Sequence, residues 1–338
     1  MPTDASTQPA GRRPRVSVII PTYNAGPDLE ELLDRLFRQT LPPHEVIVID
    51  SSSSDDTAER AAAAGAKVVV IPQSEFDHGG TRNRAADLAA GDVLLFMTQD
   101  AMPADASLLE ALTISLAEER TACAYARQIP KRDASPLERI SRSFNYPDES
   151  AMKDRSDLPR MGLKTFFCSN VCAAVRRDVF QELGRFDAPV IFNEDLFFAA
   201  KAILAGYRVA YVAEARVEHS HNYTLAQQFR RFFDNGISMR SHDWIFDYAA
   251  VGREGSRLVG RQVRTLLREG KGYLLPRLLA DNAAKLLGFQ LGKRYRQLPA
   301  WLCARFSMHR RIWDKLHAME QARRTRQSAS GDGTTLEG

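Results

Sequence analysis

A single acid, Asp100, follows the apolar run Val93 to Met97 in the stretch VLLFMTQDAMP. Five apolar residues suffice for a buried strand, and ligands of open parallel sheets bind in the crevice outside the carboxyl ends of the strands. A carboxylate at such a tip can hold a divalent cation, and oxygen ligands suit Mg2+ or Mn2+. Taken alone, the same acid is an ordinary loop residue or helix cap. Further along, Val217-Glu218-His219-Ser220-His221 carries two imidazoles that point the same way on extended backbone. Either can complete a metal shell begun by Asp100, unless the pair is merely polar loop. Asn193-Glu194-Asp195 opens an apolar stretch with helical character. Adjacent acids there interact with a helix dipole, and they also place a carboxylate where a general base must stand.

Two other stretches could hold an anionic or polar ligand. Asp50 ends the run EVIVID and is followed by four serines and Asp55-Asp56. An acid at that position can accept from a ribose hydroxyl or a pyrimidine N–H, although a polar turn in which Asp55 or Asp56 caps a helix explains the same residues. His78-Gly79-Gly80-Thr81-Arg82-Asn83-Arg84 combines paired glycines, which permit close backbone approach, with a cation that could meet a phosphate. Thr22-Tyr23-Asn24-Ala25-Gly26, after the first apolar run, is neither a Walker loop nor GxGxxG.

The elements that must position these residues follow from periodicity. Val16 to Pro21, Glu45 to Asp50, Lys67 to Ile71 and Val93 to Met97 are apolar, β-branched runs of the kind buried on both faces of a parallel sheet. Between them lie helical patterns: Leu29, Leu32, Leu33, Leu36 and Phe37 with Asp28 placed as a cap, Thr57 to Ala64 stopped by Gly65, and Thr81 to Ala90 stopped by Gly91. Four alternations of strand and helix predict a Rossmann-like, mostly parallel α/β sheet flanked by helices. A helix near 107–118 and a strand near 122–127 follow. The rest of 104–160 reads as polar, variable surface with no assignable chemistry. Order returns with 165–176, a short helix at 178–183, a helix from 193 to 205 and a strand at 207–212.

Composition narrows the class further. The 338 residues are 44% hydrophobic and 26% charged, as in a soluble globular chain. Cys123, Cys168, Cys172 and Cys303 form no CxxC pair, which fits free thiols in a reducing cytoplasm. No run approaches the roughly 18 apolar residues of a membrane span. Residues 1–15 lack the apolar core of a secretory signal and read as a disordered tail, as do 327–338. Between 253 and 326, 18 Lys and Arg stand against 5 Asp and Glu, a local +13 that leaves −9 for the rest of a chain whose total is +4. There Leu258, Leu266, Leu267, Leu274, Leu275, Leu278, Leu279, Leu286 and Leu287 alternate with Arg and Lys as in basic amphipathic helices. Such helices lie against anionic membrane, pack on the neighbouring domain, or pair two copies of a chain. No recognised motif accompanies the charge, so nucleic acid is not expected.

PTYN after the first strand, an acid ending the second, an acid after VLLFM and Asn-Glu-Asp entering a helix together resemble the family 2 glycosyltransferases of GT-A fold, over about 16–221. HGGTRN, TQDA and EHSHNYT are similar to the bacterial rhamnosyltransferase branch. The resemblance implies a glycosyltransferase domain over 16–247, followed by a basic helical extension over 248–326. It implies a nucleotide-sugar site of Pro21, Thr22, Tyr23, Asn24, Asp50, Ser52, Arg82, Asn83, Thr98 and Gln99, with Asp50 at the base and Arg82 near the diphosphate. Asp100 and His219 would hold Mg2+ or Mn2+, Asp195 would be the catalytic base, and Asn170 and Glu194 would face the acceptor. Thr98 replaces the first acid of the family's Asp-x-Asp, which leaves more of the metal binding to Asp100. The implied reaction is inverting transfer, with dTDP-rhamnose as donor and a lipid-linked or polysaccharide acceptor. A sugar-1-phosphate nucleotidyltransferase would need a Gly-rich loop after the first strand, which PTYNAGPDL lacks. A non-catalytic nucleotide-binding scaffold would not need Asp100 and Asp195.

Overall fold

The computed structural model describes residues 13–249, 254–310, 312, 313 and 315. The tail expected at 327–338, and most of that at 1–15, lie outside the described residues. The strands are β1 (Val16–Thr22), β2 (Glu45–Asp50), β3 (Lys67–Val70), β4 (Val93–Met97), β5 (Met102–Pro103), β6 (Thr121–Ile129), β7 (Ala151–Lys153), β8 (Cys172–Arg176) and β9 (Arg208–Glu218). They form one sheet in the order β3-β2-β1-β4-β8-β6-β9-β5, with β7 on β9. The parallel pairing expected of the sheet holds for β3, β2, β1 and β4. Beyond β4 the sheet is mixed, because β8 runs antiparallel to both β4 and β6 while β6 and β9 are parallel.

The helices are α1 (Asp28–Phe37), α2 (Thr57–Ala63), α3 (His78–Leu88), α4 (Leu108–Ser115), α5 (Pro136–Asn145), α6 (Leu158–Met161), α7 (Arg177–Glu182), α8 (Glu194–Leu204), α9 (Leu225–Ser241), α10 (Glu254–Arg268), α11 (Leu275–Lys293) and α12 (Ala300–Phe306). Alternate strand residues feed two cores. Ile19, Ile47, Leu94 and Phe96 enter one, and Val18, Val46, Val48, Leu95 and Met97 enter the other. Period-two alternation in an all-apolar strand thus covers both faces of the sheet and leaves only the strand tips to do chemistry.

Four expectations need correction. Asp28 is the first helical residue of α1, not its cap, and Pro27 precedes it without a side-chain cap bond. Helix α3 starts at His78, three residues early, because Asp77 accepts from Gly80 N at 2.7 Å and caps it. The paired glycines therefore serve the first helical turn: a Cβ on Gly79 would lie 2.0 Å from Asp187 O, and one on Gly80 would lie 2.6 Å from the Asp77 carboxylate. The strand expected near 122–127 forms as β6, but the rest of 104–160 is not featureless surface, since α5 and β7 lie within it. Strand β9 also runs on past Val212 to Glu218, with a register shift against β6 after Ala126.

Described residues beyond 254 pack onto this body. Leu266 and Leu278 are buried with Ile140 of α5. Helices α9 and α11 meet so closely that only glycine fits the seam. A Cβ on Gly288 would lie 2.3 Å from Phe229 O, one on Gly292 2.1 Å from Phe233 O, and one on Gly236 2.4 Å from Phe289 O. Replacing Gly288 with Ala is expected to lower the thermal transition by the equivalent of about 1–3 kcal/mol, as overpacking does. Gly260→Ala, in open space on α10, should be neutral or stabilising by roughly 0.5–1 kcal/mol. Calorimetry of the two variants checks the contrast, and equal effects would remove the seam from the stability argument.

Candidate active site

The tip of β4 and the end of β9 bring three metal-ligating side chains together. His219 Nε2 is 3.4 Å and His221 Nε2 3.2 Å from Asp100 Oδ2, and the two Nε2 atoms are 3.1 Å apart. One donor atom from each lies within 4.8 Å of the others. Both histidines follow directly on the end of β9, where His219 N still bonds Ile129 O of β6 at 3.0 Å. His219 Nδ1 faces Gln128 Oε1 at 3.0 Å. Gln128 Nε2 in turn donates to Tyr146 Oη at 2.6 Å and Ser169 Oγ at 2.9 Å, so the Gln128 oxygen is the acceptor. The proton of His219 therefore belongs on Nδ1, and Nε2 keeps its lone pair for a ligand. Burial lowers the pKa of both imidazoles, His221 to about 4, so both are neutral. Burial works to raise the pKa of Asp100, but the two imidazoles beside it outweigh burial and hold the acid below the usual carboxylate range. Two neutral imidazoles and one carboxylate are a fit donor set for a divalent cation.

Asp195 stands at the start of α8, where Asn193 takes a left-handed conformation at φ 68° and turns the chain into the helix. Asn170 N donates to its Oδ2 at 2.8 Å and Leu196 N to its Oδ1 at 2.8 Å. Burial first, and the charge of Glu194 second, push the Asp195 carboxyl up to about 7 against these backbone bonds. Glu194 is buried between Asn170 Nδ2 at 3.1 Å and Arg82 Nη1 at 3.3 Å. Arg82 also donates to His78 O at 2.9 Å, and its Nε has no protein partner among the described residues.

Asp100, His219, His221, Asn170, Glu194 and Asp195 all line one cavity of about 740 Å³. A second cavity, of about 480 Å³, is lined by Pro21, Thr22, Tyr23, Ser51 and Gln73. Arg82, Thr98 and Gln99 line both. Gln99 ties the tips of β1 and β4 by accepting from Tyr23 N at 2.8 Å and donating to Tyr23 O at 3.2 Å. Four of the candidate residues lie outside both cavity linings. Asp50 sits one layer back, accepting from Thr22 Oγ1, Ser53 N and Ser53 Oγ. Ser52 turns its hydroxyl to Ile71 O, and Asn83 uses both amide atoms on the backbone of Phe186. Asn24, at φ 46°, accepts from Ser54 N at the rim.

Several residues in the larger cavity gave no sequence signal. Arg142 of α5 bonds Glu138 and Gln128 and comes from the stretch expected to carry no chemistry. The guanidinium of Arg231 on α9 lies over the rings of Phe192, at 4.6 Å, and Tyr223, at 5.6 Å. Among the described residues no carboxylate bridges to it. An arginine amid aromatics in a helix following a histidine pair was the one available hint.

An α/β sheet whose strand tips present a carboxylate–imidazole cluster and a buried acid above a two-part cleft is the arrangement of a GT-A glycosyltransferase. Residues 17–184 match the family model described as glycosyl transferase family 2. O-antigen chain rhamnosyltransferases RfbN of Salmonella typhimurium and WbaN of Salmonella anatum are each 42% identical to this chain, over 89% and 90% of it and 97% of each relative. The structure of mannosyltransferase PcManGT from Pyrobaculum calidifontis, in complex with GDP-Man and Mn2+, shares the fold with a TM-score of 0.54 at 19% identity, covering 94% of this chain and 90% of that one. The chain belongs to glycosyltransferase family 2, and it is a glycosyltransferase.

Because Gln128 fixes the tautomer of His219, Gln128→Leu is expected to weaken Mn2+ binding about 10- to 100-fold with the fold intact. Titration of Mn2+ into parent and variant measures this, and an unchanged affinity would detach Gln128 from the cation site.

Proposed function

We propose that the protein is an inverting rhamnosyltransferase that moves L-rhamnose from dTDP-rhamnose to a hydroxyl of a lipid-linked or polysaccharide acceptor, of the O-antigen kind named for its relatives. The observation that carries this reading is a buried carboxylate, Asp195, in the same cavity as Asp100, His219 and His221. In this reading the acceptor oxygen bonds to the anomeric carbon as the bond from that carbon to the diphosphate oxygen breaks, and the electron pair leaves with the diphosphate. The hydroxyl proton passes to Asp195. A single displacement inverts the configuration and needs no covalent enzyme intermediate.

The backbone bonds from Asn170 and Leu196 aim Asp195, and a carboxyl raised to about 7 is a stronger base than an ordinary aspartate. Asp100, His219 and His221 would hold a divalent cation, which when bound supplies positive charge beside the leaving group. Two imidazoles in the set favour Mn2+ over Mg2+, which prefers oxygen. Arg231, held between two aromatic rings, adds a fixed cation to the same cavity. Leu163, Phe167, Val171, Phe246 and Phe289 supply apolar wall that suits the methyl group of a 6-deoxyhexose. Among the described residues no helix is long and apolar enough to cross a membrane. Leu267, Tyr273, Leu279, Leu286, Leu287 and Trp301 are exposed amid the basic residues of the extension. This face supports peripheral contact with anionic membrane on the cytoplasmic side, where a lipid-linked acceptor would be presented.

Protonation removes the base, so kcat/KM should fall as pH drops through about 7 and level off above it. Asp195→Asn should keep donor binding, lower turnover about 10²- to 10⁴-fold and lose that acidic limb. Near-normal turnover in the variant would take Asp195 out of the mechanism. In a competition among dTDP-rhamnose, UDP-glucose and GDP-mannose on one lipid-linked acceptor, dTDP-rhamnose is expected to be consumed first. Preference for either hexose donor would refute the rhamnosyl assignment and leave the glycosyltransferase intact.

A further inference from the structure

The outer wall of the smaller cavity comes from the far end of the chain. Met308, His309, Arg310 and Ile312 face Thr22 and Tyr23 across it. The segment is fastened on both sides of the cleft. On one side Met308 N donates to the buried Asp234 of α9 at 2.9 Å, and Ile312 and Trp313 enter the apolar cluster of Phe233 and Tyr295. On the other, Lys315 Nζ lies 3.5 Å from Asp77 and bonds Glu75 O, just before α3.

The two cavities share six lining residues: His78, Arg82, Thr98, Gln99, Met308 and His309. A nucleoside diphosphate sugar that places its nucleoside near Tyr23 and its sugar near Asp195 must thread its diphosphate past this common wall. His309 Nε2 is 3.4 Å from His78 Nε2, with the rings edge to face at 4.8 Å. Burial keeps both rings neutral, His309 at a pKa of about 4. Two neutral imidazoles carry two ring N–H groups, and the contact between them uses one. Neither Nδ1 has a protein partner among the described residues, so one N–H remains for a ligand.

We propose that Ser307 to Arg310, with Ile312, are part of the donor site, and that His309, supported by His78, donates a hydrogen bond to the diphosphate where it passes between the cavities. The inference rests on the reading of this cleft as the site for a nucleoside diphosphate sugar, and it does not depend on which base that nucleotide carries. His309 is then a donor-binding residue from a part of the chain beyond the family match, and the strap that carries it closes the nucleotide against β1.

The test uses the full-length protein with Mn2+, titrated by calorimetry with dTDP, UDP and GDP in turn. His309→Gln keeps an N–H of similar reach, whereas His309→Leu matches its bulk without one. For whichever nucleotide the parent binds, His309→Leu is expected to weaken affinity about tenfold, and His309→Gln to stay within about threefold of the parent. Equal affinities in parent and both variants, or equal losses in both, would overturn the hydrogen-bonding role. A parent that prefers UDP or GDP would instead count against dTDP as the donor base and leave the comparison of variants valid. Hydrogen exchange supplies a measurement that needs no variant. The amides of 307–310 should exchange more slowly in the parent once the bound nucleotide is added, and unchanged exchange there would overturn the strap's place in the site.

Discussion

The buried pair of Arg82 and Glu194 is the contact on which the rest of the site depends. Both side chains are almost fully removed from solvent, at 5% and 6% exposure. An unpaired charge in such a place is strongly destabilising, so each group is held by the other. Arg82 lies on α3, where the two cavities meet, and Glu194 starts α8, which also carries Asp195. Their pairing therefore ties α3 to the start of α8. It also tunes the neighbouring acid, since Glu194 raises the carboxyl of Asp195 while Arg82 lowers it. The same pair sets geometry and proton affinity together.

What the sequence made legible follows from how local each cause is. The first four strands were readable because an unbroken β-branched run has few alternatives, and their tips carried Thr22, Asp50 and Asp100 with them. The onset of α3 was not, because glycines suggest a loop and the cap that turns them into a helix, Asp77, is recognisable only by the bond it makes. Gln128 and Arg142 were missed for a different reason. Gln128 matters because it touches His219 across the pairing of β6 with β9, and Arg142 because it reaches Gln128 from α5, and no spacing encodes either contact. His221 was read as an alternative to His219, yet the chain leaving β9 brings both to Asp100.

The basic extension was open to three readings, membrane contact, packing on the neighbouring domain or pairing of two copies, and its described helices show the packing. Helix α11 presses its glycines against α9 and leaves Leu279, Leu286 and Leu287 outward. A seam in which backbone touches backbone has no flexible side chain to absorb a shift. Movement of α11 must then carry α9 along, and with it Arg231 and Asp234.

The cavity wall formed by Met308, His309, Arg310 and Ile312 has a consequence for how the protein comes into being. During synthesis the sheet, Asp100 and Asp195 all leave the ribosome well before that segment, and domains generally fold as they emerge. A nascent chain can therefore hold a finished sheet while its nucleotide cleft still stands open on one side. The enclosed cleft is among the last things made, so chains broken off before residue 307 would keep the acids in place without the wall that encloses them.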